Sequence, residues 1–130
     1  MGQDQKGHAW VINMEPYLLF YTDNVPSGSA GCANAFVIRI RPEYKDDDGI
    51  LKHEAEHVRQ WWCTLGVHSL LYLLVKPYRL YAEVRAYREQ LKYPPATNHA
   101  EESRKLYAGF ISNDYGLDIS VEEAENKLRG

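Results

Sequence analysis

Two histidines four residues apart, with a glutamate directly after the first, are the clearest chemical signal in this sequence. Residues 53–57 read His-Glu-Ala-Glu-His and fit the pattern H-E-x-x-H, for which the chain's own composition predicts roughly 0.02 chance matches. Positions four apart on a helix lie on one face, so His53 and His57 can meet one metal ion. Zinc accepts imidazole nitrogen, and a catalytic zinc site has three protein ligands and an open position for water. The motif therefore predicts two zinc ligands and requires a third.

Glu54 follows the first histidine and is rotated about 100° from it on a helix, which places its carboxylate beside a bound metal rather than on it. It also falls in an apolar stripe that includes Ile50 and Val58. A carboxylate that loses water in such surroundings has a raised pKa, which suits a general base. We therefore expect Glu54 to take a proton from a zinc-activated water.

The third ligand does not come from the extended pattern that places a glycine and a histidine further along the same helix. That pattern needs glycine at position 60 and histidine at position 63, where this chain has Gln60 and Cys63. Cys63 would point about 100° away from the His53/His57 face and lie about 9 Å beyond His57. We expect Cys63 to be a small core residue instead.

Glu83, which lies 26 residues after His57 on the next long predicted helix, is the strongest candidate for the third ligand. It borders the apolar stripe of that helix, where an unpaired carboxylate is costly. The alternative is a surface ion pair with Arg79, four residues earlier. The small side chains of Ala82 and Ala86 would let the two helices approach closely enough to share an ion.

Two other histidines compete for the same role. His68 follows Gly66, where the motif helix is expected to end, and His99 lies in a polar segment after two prolines. Either could instead contact the substrate.

Composition excludes several classes of protein. The 130 residues fit one domain, 1–130, of which we expect residues 1–8 to be flexible. The net charge is −3 and the basic residues are scattered, which argues against nucleic acid as a partner. The longest apolar stretch, Leu70 to Val75, is too short to cross a membrane, and the N-terminus has no apolar run typical of a signal peptide. We therefore expect a cytoplasmic protein with no membrane partner, in which Cys32 and Cys63 are reduced.

Local patterns predict an α+β domain in which about three short antiparallel strands precede four or five helices. The expected strands are Ala9–Asn13, Tyr17–Thr22 and Ala35–Arg41, and residues 23–31 are rich in turn formers.

The motif helix is expected after Asp46-Asp47-Asp48, with a buried stripe formed by Ile50, Glu54, Val58, Trp61 and Leu65. After an apolar segment, 69–75, a second long helix spans Tyr78–Lys92 with the stripe Leu80, Val84, Tyr87 and Leu91. Two further helices are expected, one over 98–113 and one that begins with a capping box at Ser120 and Glu123.

The motif on one helix and a glutamate on the next resemble the gluzincin metallopeptidases, especially the small single-domain ones, over residues 34–92. The resemblance implies a minimal zincin-like fold, zinc held by His53, His57 and Glu83, and Glu54 as the base. It also implies that the strand before the motif helix, Ala35–Arg41, lines the substrate cleft with its edge, where an extended peptide can pair. Short proteins of this appearance also occur in phage and prophage genomes.

The sequence departs from the family at one position. Thermolysin-like members have an acidic residue four positions after the ligand glutamate, where it holds an imidazole, and here that residue is Tyr87. A phenol could accept the same hydrogen bond, though less strongly. An oxyanion donor is also needed, and Tyr72, Tyr78, Tyr81, Tyr107 and His99 are all open candidates.

The sequence therefore predicts a zinc metallopeptidase that hydrolyses peptide bonds in a peptide or protein substrate. One alternative is a catalytically silent zincin-like module that binds a peptide or protein without cutting it. Another is a helical interaction module without metal. The sequence predicts no particular oligomeric state.

Overall fold

A mixed β-sheet precedes five helices in the computed structural model, which describes residues 8–10 and 16–130. The strands are β1 (His8–Trp10), β2 (Tyr17–Tyr21), β3 (Gly31–Asn34) and β4 (Val37–Ile40). The helices are α1 (Asp48–Cys63), α2 (His68–Leu74), α3 (Lys76–Gln90), α4 (Ala100–Asp114) and α5 (Val121–Arg129). This order confirms the predicted α+β class. The expected flexible segment 1–8 lies outside the described residues except for His8. The part of the predicted strand Ala9–Asn13 that follows Trp10 also lies outside them.

The sheet has the order β1-β2-β4-β3 and is mixed rather than antiparallel. The outer pairs are antiparallel, whereas β2 and β4 are parallel. The antiparallel prediction was wrong because it missed β3, whose residues Gly-Cys-Ala-Asn have little strand propensity. The chain turns from β3 into β4 at Ala35, which has a φ of 55°, so the predicted strand from Ala35 begins later, at Val37.

Helix α1 begins where the acidic run predicted it. The Asp47 side chain caps the helix by accepting a hydrogen bond from the Ile50 backbone N–H at 3.1 Å. The helix ends at Cys63, and the chain leaves it through Leu65 and Gly66, both with positive φ. The predicted stripe was therefore wrong at its end: Leu65 lies beyond the helix and is 90% exposed.

Helix α3 packs against α1 through a face made largely of small residues, and α1 packs against β3 and β4 on its other side. The buried residues of α3 are Ala82, Glu83, Ala86 and Tyr87. This face is rotated from the predicted stripe, of which only Tyr87 is fully buried. The other members, Leu80, Val84 and Leu91, are partly buried against the C-terminal helices.

Two apolar clusters lie on either side of the α1–α3 contact. The sheet cluster consists of Leu19, Ile38, Ile40, Ile50 and Val58. The C-terminal cluster consists of Tyr87, Ala96, Tyr107, Ala108, Ile111, Leu117, Ala124 and Leu128. The predicted capping box of α5 is present, since Ser120 and Glu123 bond each other's backbone N–H. Within residues 8–10 and 16–130, no helix has the length and apolar character needed to cross a membrane.

Candidate metal centre

The three predicted ligands meet in the contact between α1 and α3. His53 Nε2 lies 3.4 Å from Glu83 Oε1, and His57 Nε2 lies 3.3 Å from Glu83 Oε2. The ligand atoms of the three residues all lie within 4.8 Å of one another, and all three side chains are buried. Local spacing accounts for half of this arrangement, because two histidines four apart on α1 share a face. The close approach of α3 at Ala82 and Ala86, both with no exposed surface, provides the other half.

The electrostatics of Glu83 reflect its two imidazole neighbours. Burial raises the pKa of this carboxyl group, but His57 and His53 outweigh that effect and leave the pKa lowered. Burial also disfavours the charged form of His57, which lowers the pKa of that group. The adjacent Glu83 carboxylate has the larger effect and raises the pKa to about 9. Glu83 Oε1 is nevertheless buried without a hydrogen-bond partner among the described residues. An unpartnered carboxylate oxygen in the interior is costly unless a cation meets it.

The alternative pairing of Glu83 with Arg79 does not form. The Arg79 guanidinium instead donates to three backbone carbonyl groups, those of Tyr72, Leu73 and Tyr115, at 2.8 Å each. Arg79 therefore links the α2–α3 turn to the end of α4. The Glu83 carboxylate contacts the two histidines instead of Arg79.

Each of the two histidines has a glutamine beside its other ring nitrogen. His53 Nδ1 lies 3.0 Å from Gln90 Oε1 at the end of α3, and His57 Nδ1 lies 3.1 Å from Gln60 Oε1 on α1. Neither glutamine was predicted to have a role. The sequence contains a signal for Gln60, which is three residues after His57 on the same helix, whereas Gln90 is 37 residues from His53 and has no such signal.

Tyr87 contacts the site in a different way from the one expected. Its ring packs edge-on against His53, with centroids 4.3 Å apart. Its hydroxyl group bonds the Tyr115 hydroxyl at 2.8 Å, so Gln90, rather than Tyr87, takes the place of the expected acceptor beside an imidazole.

Glu54 is buried and lines the same cavity as the three ligands. Burial raises its pKa, the two histidines oppose that effect, and the nearby Glu83 carboxylate adds to it, so the pKa is raised overall. The predicted direction is therefore confirmed, and its cause is the loss of water around the carboxylate.

A cavity of about 630 Å³ gives access to these residues. One wall is β3, which among the described strands is an outer strand of the sheet and pairs with β4 alone. The opposite wall is α2, through Ser69, Tyr72 and Leu73. The strand predicted to line the cleft, Ala35–Arg41, becomes β4 and lies inside the sheet between β2 and β3. Strand β3, which was not predicted from the sequence, therefore occupies the place beside the cleft that was expected for Ala35–Arg41.

Two α2 residues place polar groups in the cavity. The Tyr72 hydroxyl donates a hydrogen bond to Glu83 Oε2. His68 is buried, and its Nδ1 lies 2.7 Å from the Tyr78 hydroxyl. Burial lowers the pKa of His68 to about 4, and the charge of His57 acts in the same direction, so its imidazole is neutral at pH 7. His68, which was expected to follow the end of the motif helix, begins α2 and is held there by its contact with Tyr78.

Several predicted candidates lie away from the cavity lining. His99 is largely exposed and lies 3.3 Å from the Glu102 carboxylate. Tyr107 is buried in the C-terminal cluster, and Tyr81 is exposed. Cys63 is also exposed, which contradicts its predicted core position, because α1 turns that side toward solvent at its last residue. Both cysteines are free, as expected.

Two imidazole nitrogens and a carboxylate suit zinc as a donor set, and one oxygen of that carboxylate accepts no hydrogen bond from the described residues. No protein-family model matches this chain, and none of the curated proteins or solved structures compared with it matches either.

Proposed function

We propose that this protein is a zinc-dependent peptidase in which His53, His57 and Glu83 hold the metal and Glu54 acts as general base. The observation that carries the proposal is the convergence of His53 Nε2, His57 Nε2 and the Glu83 carboxylate beside Glu54 in one cavity. Glu83 Oε1 supports it, because this buried oxygen accepts no hydrogen bond from the part of the chain that the structure describes and a bound cation would satisfy it.

When bound, zinc would act as a Lewis acid on the scissile carbonyl group and lower the pKa of a coordinated water. Glu54 then accepts a proton in the cavity and later delivers it to the leaving amine. The raised pKa of Glu54 supports this role because proton transfer is most efficient when the pKa of the base lies closer to the working pH.

The outer edge of β3 is the part of the cavity that suits an extended peptide. Unpaired backbone groups of an outer strand can hydrogen-bond an added strand. The residues of β3 and its turn that line the cavity are small, which leaves room for main chain against main chain. These residues are Gly31, Cys32, Ala33, Asn34 and Ala35.

Two α2 groups are suited to stabilise negative charge on the substrate carbonyl oxygen. A neutral His68 carries one ring N–H, and the Tyr78 hydroxyl can bond its other nitrogen. The Tyr72 hydroxyl already lies on a ligand carboxylate and is the second candidate. Since oxyanion donors act best when they are held in place, the buried His68 is the stronger one.

The test combines metal analysis with one isosteric substitution. Protein purified without chelator should contain one zinc per chain and should cleave members of a broad peptide library, as detected by mass spectrometry. Glu54→Gln should retain zinc and lose cleavage by a factor of about 100 to 10,000, the usual contribution of a general base. Circular dichroism of both proteins controls for folding.

Each failure has a distinct meaning. Zinc-loaded wild-type protein that cleaves nothing would favour the peptide-binding module over the peptidase. Protein that binds no zinc would overturn both metal-dependent functions and favour the metal-free interaction module.

A further inference from the structure

The hydrogen bonds of Gln60 determine which end of its side-chain amide faces His57. Gln60 Nε2 lies 3.2 Å from Glu56 Oε2 and 3.2 Å from the Ala82 carbonyl oxygen. Both of these partners are acceptors only, so the amide NH₂ must face them. The reverse orientation would place an oxygen against two oxygens in a side chain that is 2% exposed. The amide oxygen therefore faces His57.

Glu56 keeps this orientation fixed. Its carboxylate accepts hydrogen bonds from Arg59 Nε at 2.9 Å and from Arg59 Nη2, and Arg85 Nε lies 3.6 Å away. The guanidinium group of Arg59 therefore pairs with this carboxylate through two of its nitrogens. A charged acceptor at this point holds the Gln60 NH₂ more firmly than a neutral one would.

Gln90 makes the corresponding contact on the His53 side. Its side-chain oxygen Oε1 lies 3.0 Å from His53 Nδ1. Gln90 is only partly buried, so its amide is held less firmly than that of Gln60.

We infer that Gln60 and Gln90 are positioning residues: each accepts the Nδ1–H of a ligand histidine and thereby turns the Nε2 atom toward the metal centre. An amide oxygen can only accept, so both Nδ1 atoms must carry a proton. Each Nε2 is then the atom available for coordination, and it is the Nε2 atom of each ring that lies against Glu83. The significance of this orientation for metal binding rests on the function proposed above.

The use of two neutral amides also affects the charge of the site. A carboxylate on Nδ1 would make the imidazole a stronger donor and would add negative charge beside the metal. With amides, Glu54 and Glu83 are the carboxylates that line the cavity. A zinc ion held here would therefore keep more of its positive charge for the substrate.

The first experiment observes the ring protons without any metal. NMR of ¹⁵N-labelled, metal-free protein should show Nδ1–H protons of His53 and His57 that exchange slowly, because a hydrogen-bonded Nδ1–H is present in the neutral tautomer and in the imidazolium alike. Gln60→Met, which keeps the length and removes the acceptor, should abolish the slow His57 signal and leave that of His53. Gln90→Met should abolish the slow His53 signal and leave that of His57.

The second experiment measures zinc affinity by competition with a chelator. Each methionine variant should bind zinc about 10- to 100-fold more weakly than the wild type. Gln90→Glu restores an acceptor for the His53 Nδ1–H, so it should recover the His53 signal and bind zinc at least as tightly as the wild type.

These results separate the two proposals. Slow Nδ1–H protons that persist in the methionine variants would overturn the positioning role, and so would a Gln90→Glu variant as weak as Gln90→Met. If Gln60→Met does not fold, the Gln90 pair carries the test alone. A wild-type protein with slow Nδ1–H protons and no affinity for zinc would instead overturn the proposed function.

Discussion

The C-terminal cluster and the α1–α3 contact are both buried and share helix α3, yet they are built from opposite kinds of residue. The C-terminal cluster is apolar apart from the hydroxyl groups of two tyrosines. The contact between α1 and α3 contains a polar layer, which we define as His53, Glu54, His57, Gln60 and Glu83, all of them buried. Apolar burial stabilises a fold in proportion to the area removed from water, whereas buried charges destabilise it unless they are paired.

This difference separates the residues that stabilise the fold from the residues that are proposed to function. The hydrogen bonds of Gln60 and the ion pairs of Glu83 satisfy most of the polar layer, but one Glu83 oxygen accepts no hydrogen bond from the described residues and Glu54 has a raised pKa. A layer optimised for stability alone would replace these groups with apolar ones. Stability should therefore depend most on the apolar clusters, and metal binding on the polar layer.

The largest effect on stability is expected from Ile111→Ala. Ile111 has no exposed surface and lies at the centre of the C-terminal cluster on α4. Removing three buried carbon atoms should lower the free energy of unfolding by about 2–5 kcal/mol. Urea denaturation followed by circular dichroism measures this change. The zinc affinity of the folded variant should equal that of the wild type, and a weaker affinity would show that the two regions are energetically coupled.

A smaller effect is expected from zinc itself. A ligand that binds only the folded state at 100 times its Kd raises the free energy of unfolding by about 2.7 kcal/mol. Glu83→Gln keeps the shape of the side chain and removes its charge, so this zinc-dependent increment should disappear. Thermal unfolding of both proteins, with and without zinc, measures the increment. If Glu83→Gln is stabilised by zinc as much as the wild type, the ion is bound somewhere else.

The motif helix and the side chains that it presents could be predicted because they depend on local spacing. An acidic N-cap, two histidines four apart and a glutamate between apolar residues are all properties of one helix, and α1 has each of them. The capping box of α5 was predictable for the same reason. The convergence of Glu83 with the histidines was predicted from the cost of burying an unpaired carboxylate.

The features that were missed depend on packing between distant segments. Strand β3 has little strand propensity of its own and forms because it pairs with β4. The buried face of α3 is set by the close approach of Ala82 and Ala86 to α1, which favours small residues over the leucine and valine stripe. Gln90 meets His53 across 37 residues of sequence, and no local pattern identifies that pair.

The smallest effect is expected at the start of α5, where the comparison between the two regions is tested most finely. The Ser120 side chain accepts a hydrogen bond from the Glu123 backbone N–H at 3.0 Å, and α5 contributes Ala124 and Leu128 to the C-terminal cluster. Ser120→Ala removes this cap and should lower the free energy of unfolding by about 1 kcal/mol. Ser120→Asp retains a capping oxygen and should recover most of that loss in the same urea denaturation experiment. Because the cap lies in the apolar region, neither variant should change zinc affinity. A weaker zinc affinity in Ser120→Ala, but not in Ser120→Asp, would mean that α5 helps to hold α3 in place at the candidate metal centre.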